Sequence, residues 1–151
     1  MQQKKNIIKD FLKAAQLADT KIPESQIDVQ DLGCPHKPQG LPKGKMAIYT
    51  FQFNELFLKI GKAGPNSDAR FRSQPYNPDS SQSNLAKSIL NDPDMEHYNL
   101  NAENIKDWIK NNIARIDIIL DESLGIFVLN FLEAFLHCKL KPKYEGFDSQ
   151  K

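Results

Sequence analysis

Four residue types that handle phosphate esters recur in this chain at spacings that could bring them together. The stretch "AIYTFQFNELFLKIGKAG", from Ala47 to Gly64, holds Tyr49, Lys59 and Lys62. Arg70 follows in "ARFRSQ", and Glu133 lies far downstream in "IFVLNFLEAFLHCKL". Cleaving a phosphodiester requires a deprotonated nucleophile, charge stabilised on the phosphoryl oxygens and a stabilised leaving oxygen. A tyrosine whose pKa is lowered by nearby cations can act as general base. An arginine fork can clamp two phosphate oxygens. A hard divalent cation needs only one or two carboxylates, because water and phosphate complete its shell.

The elements that must position these groups are readable from pattern. Residues 46–53 and 56–62 form two strands around a turn at Asn54-Glu55. A two-residue turn pairs Tyr49 with Ile60 and sets Lys62 on the tyrosine's face. A three-residue turn pairs Phe51 with Lys59 and reverses this, since a one-residue slip flips every side chain. The expectation is Lys62 as the cation near Tyr49, with Lys59 as the alternative. On the final apolar helix, Asn130, Glu133, His137 and Lys141 are spaced three, four and four apart and form one stripe. That stripe is either the solvent-facing side of a buried helix or the wall of a cleft.

Elsewhere, residues 3–18 have the spacing of an amphipathic helix. The segment 28–45, rich in proline and glycine, reads as loop. The 80–84 stretch "SSQSN" reads as loop with a helix cap, followed by helices over about 83–91 and 101–112. Trp108, in the second of these, is expected to pack between elements. "ARIDIILD" alternates as a half-buried strand, with Ile116, Ile118 and Leu120 inward and Arg115, Asp117 and Asp121 outward. The fold expected is a small α/β (α+β) sandwich of three strands flanked by helices. Its 151 residues suit one structural unit: 1–44 as a helix and arm packed on the core, and 45–151 as the domain that carries the site.

Apolar content of 40% and charged content of 26% are those of a globular protein, and no apolar run approaches the ~20 residues of a membrane helix. With two cysteines and no signal-like start, the reading is cytoplasmic, with no membrane partner. Net charge is +1, but Lys37 to Arg72 carries seven basic residues against two acidic ones. Such a face suits a polyanion, or is a solvated surface of scattered charge. Cys34, His36, His137 and Cys138 carry the atoms of a zinc site, yet adjacent helical residues diverge by about 100°.

The combination resembles the GIY-YIG nuclease family over about 45–146. "AIY" at 47–49 is similar to its first motif, with Ala47 for the first glycine; "KIG" at 59–61 is similar to its second, with Lys59 for the tyrosine. Arg70 matches the catalytic arginine, and Glu133 the metal-binding glutamate on a helix leading into a proline-containing loop. The resemblance implies a three-stranded antiparallel core flanked by helices and hydrolysis of DNA assisted by Mg²⁺ (or Mn²⁺) at Glu133. Tyr49, Lys62, Lys59, Arg70 and Glu133 would then be catalytic. Arg72, Gln74, Lys43, Lys45, His137 and Lys141 would bind the substrate. Phosphate chemistry does not distinguish DNA from RNA, and a homodimer would serve if both strands are cut. Gln74 stands where the family has a histidine, Pro75 follows it, and Glu145 stands where the family commonly has an asparagine. These departures support the alternative, a GIY-YIG-type module that binds nucleic acid with weakened or no turnover.

Overall fold

The apolar residues of the opening stretch build the hairpin expected of them in the computed structural model, which describes residues 2–81 and 84–145. Gln82 and Ser83, part of the 80–84 stretch, and the end of the chain from 146 lie outside the described residues. The hairpin strands are β2 (Lys45–Phe53) and β3 (Leu56–Ala63). Asn54 and Glu55 join them with φ of 49° and 66°, the two left-handed residues of a type I′ turn.

Both registers weighed from the sequence occur, each in part of the hairpin. Phe53 pairs with Leu56, as a two-residue turn requires, yet Phe51 pairs with Lys59 and Tyr49 with Gly61. The register shifts between Phe51 and Gln52, so Leu58 is the extra residue of a bulge. Beyond the bulge Lys59 shares the face of Tyr49, and Lys62 pairs with Ile48 on the other face. The expectation of Lys62 on the tyrosine's face is therefore corrected to Lys59. A single bulged residue reverses every side chain that follows it.

Among the described residues the sheet has four strands rather than the three expected, in the order β1-β4-β2-β3, with every pair antiparallel. The additional strand, β1 (Ile27–Gly33), arises from the segment expected to be loop. Its Ile27 and Val29 alternate with Asp28 and Gln30, but the proline- and glycine-rich run just after it dominates the local composition. β4 (Ala114–Asp121) lies between β1 and β2 and is covered on both faces. It is not the half-buried strand that its alternation suggests: Arg115 and Asp117 are 0% and 1% exposed.

Helices cover the two faces. α1 (Gln2–Leu17) and α5 (Ile126–Leu140) pack on one, where Phe11, Met46, Ile48, Ile118, Leu129 and Leu132 are buried together. Phe11 meets Phe131 and Phe135 edge to face, and Lys139 bonds Asp10 across the same pair of helices. On the other face lie α2 (Asp68–Arg72), α3 (Leu85–Leu90) and α4 (Ile105–Asn112), around Phe51, Phe71, Ile89 and Ile109. Asn84 caps α3 by accepting from the Lys87 N–H at 2.8 Å. Trp108 packs on Phe53 and Tyr98, with ring centroids 5.4 and 5.1 Å away.

Past α5 the chain returns along the outer edge of β3. The Lys143 and Tyr144 N–H groups donate to the Phe57 and Leu58 carbonyls, both at 2.9 Å. Tyr144 buries its ring in the second core and donates its hydroxyl to Asp92 at 2.7 Å. This strap covers part of an otherwise open sheet edge. Among the described residues, no helix is long and apolar enough to cross a membrane.

Candidate active site

The edge of β3 beyond the strap opens into a cleft of about 870 Å³. Its walls come from both sides of the sheet. Tyr49, Arg70 and Gln74 contribute from the α2 side, and Glu133, His137 and Lys141 from α5 and its end. Lys59 and Glu145 close one margin.

Tyr49 reaches this cleft because of the residue opposite it. The residues level with Tyr49 across the sheet are Asp117 on β4 and Gly61 on β3. A Cβ on Gly61 would lie 2.3 Å from two carbons of the Tyr49 ring and 2.5 Å from its hydroxyl oxygen. The ring therefore lies across the glycine, and the phenol comes to the cleft that Arg70 also lines, where the Arg70 charge acts on it. Burial pushes the Tyr49 phenol above its ordinary pKa; the charges of Arg70 and Arg115 oppose this without overcoming it. The direction is the reverse of the lowered value expected from nearby cations, because the ring is only 6% exposed.

Of the stripe on α5, Glu133, His137 and Lys141 line the cleft, while Asn130 is exposed outside it. Glu133 lies 3.3 Å from the Lys62 ammonium, which also donates to Asn130 at 2.8 Å. Lys62 thus acts on the α5 side, as a partner of the carboxylate. Lys59 bonds Glu145 at 3.1 Å, and His137 Nε2 lies 3.9 Å from the same carboxylate. Lys141, in left-handed conformation, ends α5.

The remaining candidates are elsewhere. Arg72 is paired with Asp68 one helical turn away, Lys45 bonds Asp121, and Lys43 is exposed; none of the three lines the cleft. Both His36 ring nitrogens are engaged in the core, Nδ1 at 2.7 Å from the Ile113 carbonyl and Nε2 at 2.7 Å from the Tyr76 hydroxyl. Cys34 donates to the Asn111 carbonyl. Among the described residues no three His, Cys, Asp or Glu side chains converge as a metal cage.

Sequence reasoning missed the group behind the tyrosine. Arg115 stacks among the rings of Tyr49, Phe51, Phe71 and Tyr76, 4.7 to 5.9 Å from their centroids, and pairs with Asp117 at 2.6 Å. The available signal was two opposite charges two residues apart on a strand that turns out to be central in the sheet. The fold and cleft together define an α+β domain with a four-stranded antiparallel sheet and a mixed-charge cleft at its edge. No protein-family model matches this chain, and neither curated proteins nor solved structures gave a match.

Proposed function

We propose that this chain is a GIY-YIG-like endonuclease that hydrolyses DNA phosphodiesters with a divalent cation. The observation that carries the reading is the convergence of Tyr49, Arg70 and Glu133 on one cleft, from a strand, a short helix and a long helix that meet only at the β3 edge. In this reading Tyr49 orients the attacking water and takes its proton as phenolate. Arg70, which lines the same cleft as the phenol, places its guanidinium on the phosphoryl oxygens. Lys59 and Lys141 supply further positive charge to the strand's backbone.

The donor set fits Mg²⁺ or Mn²⁺ held in an open site. Glu133 presents one carboxylate, about a fifth exposed, at the cleft wall, which suits a hard cation whose other ligands are water and phosphate. Glu133 would hold that cation, which when bound stabilises charge on the leaving oxygen.

A second reading has its own observation. The Lys62–Glu133 ion pair occupies the carboxylate, which suits a module that holds nucleic acid without turnover. Supercoiled plasmid incubated with Mg²⁺ or Mn²⁺ separates the two. Nicking that is lost with EDTA and in Glu133→Ala supports the nuclease. Intact plasmid that nevertheless shifts in a gel supports the binder. RNA in place of plasmid tests which polymer is cut.

A further inference from the structure

Arg115 is fully buried, and three nitrogens of its guanidinium each have a partner. Nε donates to Asp117 at 2.6 Å, Nη1 to the Tyr76 hydroxyl at 2.8 Å and Nη2 to the Phe71 carbonyl at 2.8 Å. Taking a guanidinium out of water is costly, and well-packed apolar residues often replace a buried ion pair without loss of stability. A hydrophobe, however, cannot join the three elements that this one fork joins. Asp117 is the β4 neighbour of Tyr49 across the sheet. Phe71 follows Arg70 on α2. Tyr76 ends the 74–76 turn, whose Gln74 and Pro75 form part of the cleft wall.

α2 has five residues, and its N-cap Ser67 makes no side-chain capping bond. A single helical turn does not hold its own geometry. Its tertiary attachments include the buried Phe71 ring, the Leu41 N–H donated to Asp68 at 2.8 Å, and the bond from Arg115 to the Phe71 carbonyl. The guanidinium carbon of Arg115 meanwhile lies 5.1 Å from the centre of the Tyr49 ring. One side chain therefore touches both the tyrosine and the backbone beside the arginine that must face the same phosphate.

We propose that Arg115 is the positioning residue of the cleft: its fork ties the 68–76 segment to the sheet and sets Arg70 in register with Tyr49. The catalytic consequence rests on the nuclease reading; the geometric one does not. Lysine at this position retains the charge beside Asp117, but its ammonium lacks the planar fork that spans the Phe71 carbonyl and the Tyr76 hydroxyl.

The test pairs amide hydrogen exchange with cleavage in Arg115→Lys. Exchange protection is expected to fall within 68–76 and to be retained in β2 and β4. Single-turnover cleavage at saturating DNA is expected to drop roughly 100-fold with DNA affinity changed less than about three-fold. In an Arg70→Ala background the same substitution is expected to have no further effect on rate, because both act through one group. Unchanged protection in 68–76, loss of protection throughout the sheet, or additive losses with Arg70→Ala would each overturn the proposal. Should Arg115→Lys fail to fold, Tyr76→Phe, which removes the Nη1 acceptor together with the donor to His36 Nε2, is read by the same criteria. A wild-type chain that cleaves nothing while exchange changes only in 68–76 defeats the nuclease reading and leaves the clamp standing.

Discussion

The Tyr49 ring lies across Gly61, so close that a single added methyl carbon would stand 2.3 Å from it. This contact explains how a residue on an interior strand serves a cleft at the sheet edge. Any side chain at position 61 would force the phenol off the strand and away from Arg70.

Gly61→Ala is accordingly expected to destabilise the fold by about 1–3 kcal/mol through overpacking. Cleavage should fall by about 100-fold, through misplacement of the phenol. Thermal unfolding and plasmid nicking measure the two effects. Wild-type nicking in the alanine variant would show that the hydroxyl does not need its present position.

Lys62 stands 3.3 Å from the carboxylate that would hold the cation, so its ammonium would compete with that cation for Glu133. Replacing Lys62 by methionine removes the competitor. Because the pair is partly exposed, the gain is limited to the ~1 kcal/mol of such bridges, so Mn²⁺ should bind about two- to five-fold more tightly. Calorimetric titration with Mn²⁺ in the absence of DNA reads this directly. Weaker binding in the variant would mean that Lys62 orients Glu133 for the metal instead of competing with it.

The Tyr49 phenol is held above its ordinary pKa, first by burial, so at neutral pH it carries its proton. A base that must be deprotonated gains active fraction as pH rises toward that pKa. Cleavage at fixed Mg²⁺ should therefore climb about tenfold per pH unit between pH 7 and 9. A flat profile would remove Tyr49 from the role of proton acceptor.

His36 lies in the core behind the cleft, bonded to the Tyr76 hydroxyl that also accepts from Arg115, and it acts in a different pH range. Burial, then the charges of Arg115 and Lys110, push its pKa below the ordinary value of 6.5, against the pull of its bond to Ile113. The Ile113 carbonyl can only accept, so Nδ1 carries the proton and Nε2 accepts from the Tyr76 hydroxyl. Below pH 6.5 the unfolded chain binds a proton at this site that the folded chain refuses, so stability falls as pH drops from 6.5 toward the folded pKa. Urea midpoints between pH 7.5 and 5.5 should show this fall, and His36→Gln should flatten it. An equal slope in the variant would locate the effect elsewhere.

The strap over β3 is held at Tyr144, whose hydroxyl donates to a carboxylate that is 6% exposed. Burial alone would raise Asp92, but Lys143 and the Tyr144 hydroxyl outweigh it and hold the carboxyl below its ordinary value. Tyr144→Phe leaves that carboxylate one donor short and should cost about 1–3 kcal/mol in thermal unfolding. A variant as stable as wild type would mean that Lys143 satisfies Asp92 without help.

Much of this molecule is set by local pattern. The hairpin around Asn54-Glu55, the long apolar helix and the alternation of 114–121 follow from residue periods of two and 3.6, which depend only on neighbours along the chain. The stripe of Asn130, Glu133, His137 and Lys141 was likewise readable, although not whether it met solvent or a cleft. Tertiary structure alone decided the rest. A bulge at Leu58 exchanged the faces of Lys59 and Lys62, because pairing depends on the partner strand and not on the strand itself. β1 became a strand because β4 offered it an edge. Arg115 and Asp117, which read as surface charges, became the interior support of Tyr49 and α2 once β4 lay between two strands and under helices on both faces. Period reports which residues share a face; whether that face meets water is settled only when the other elements have packed against it.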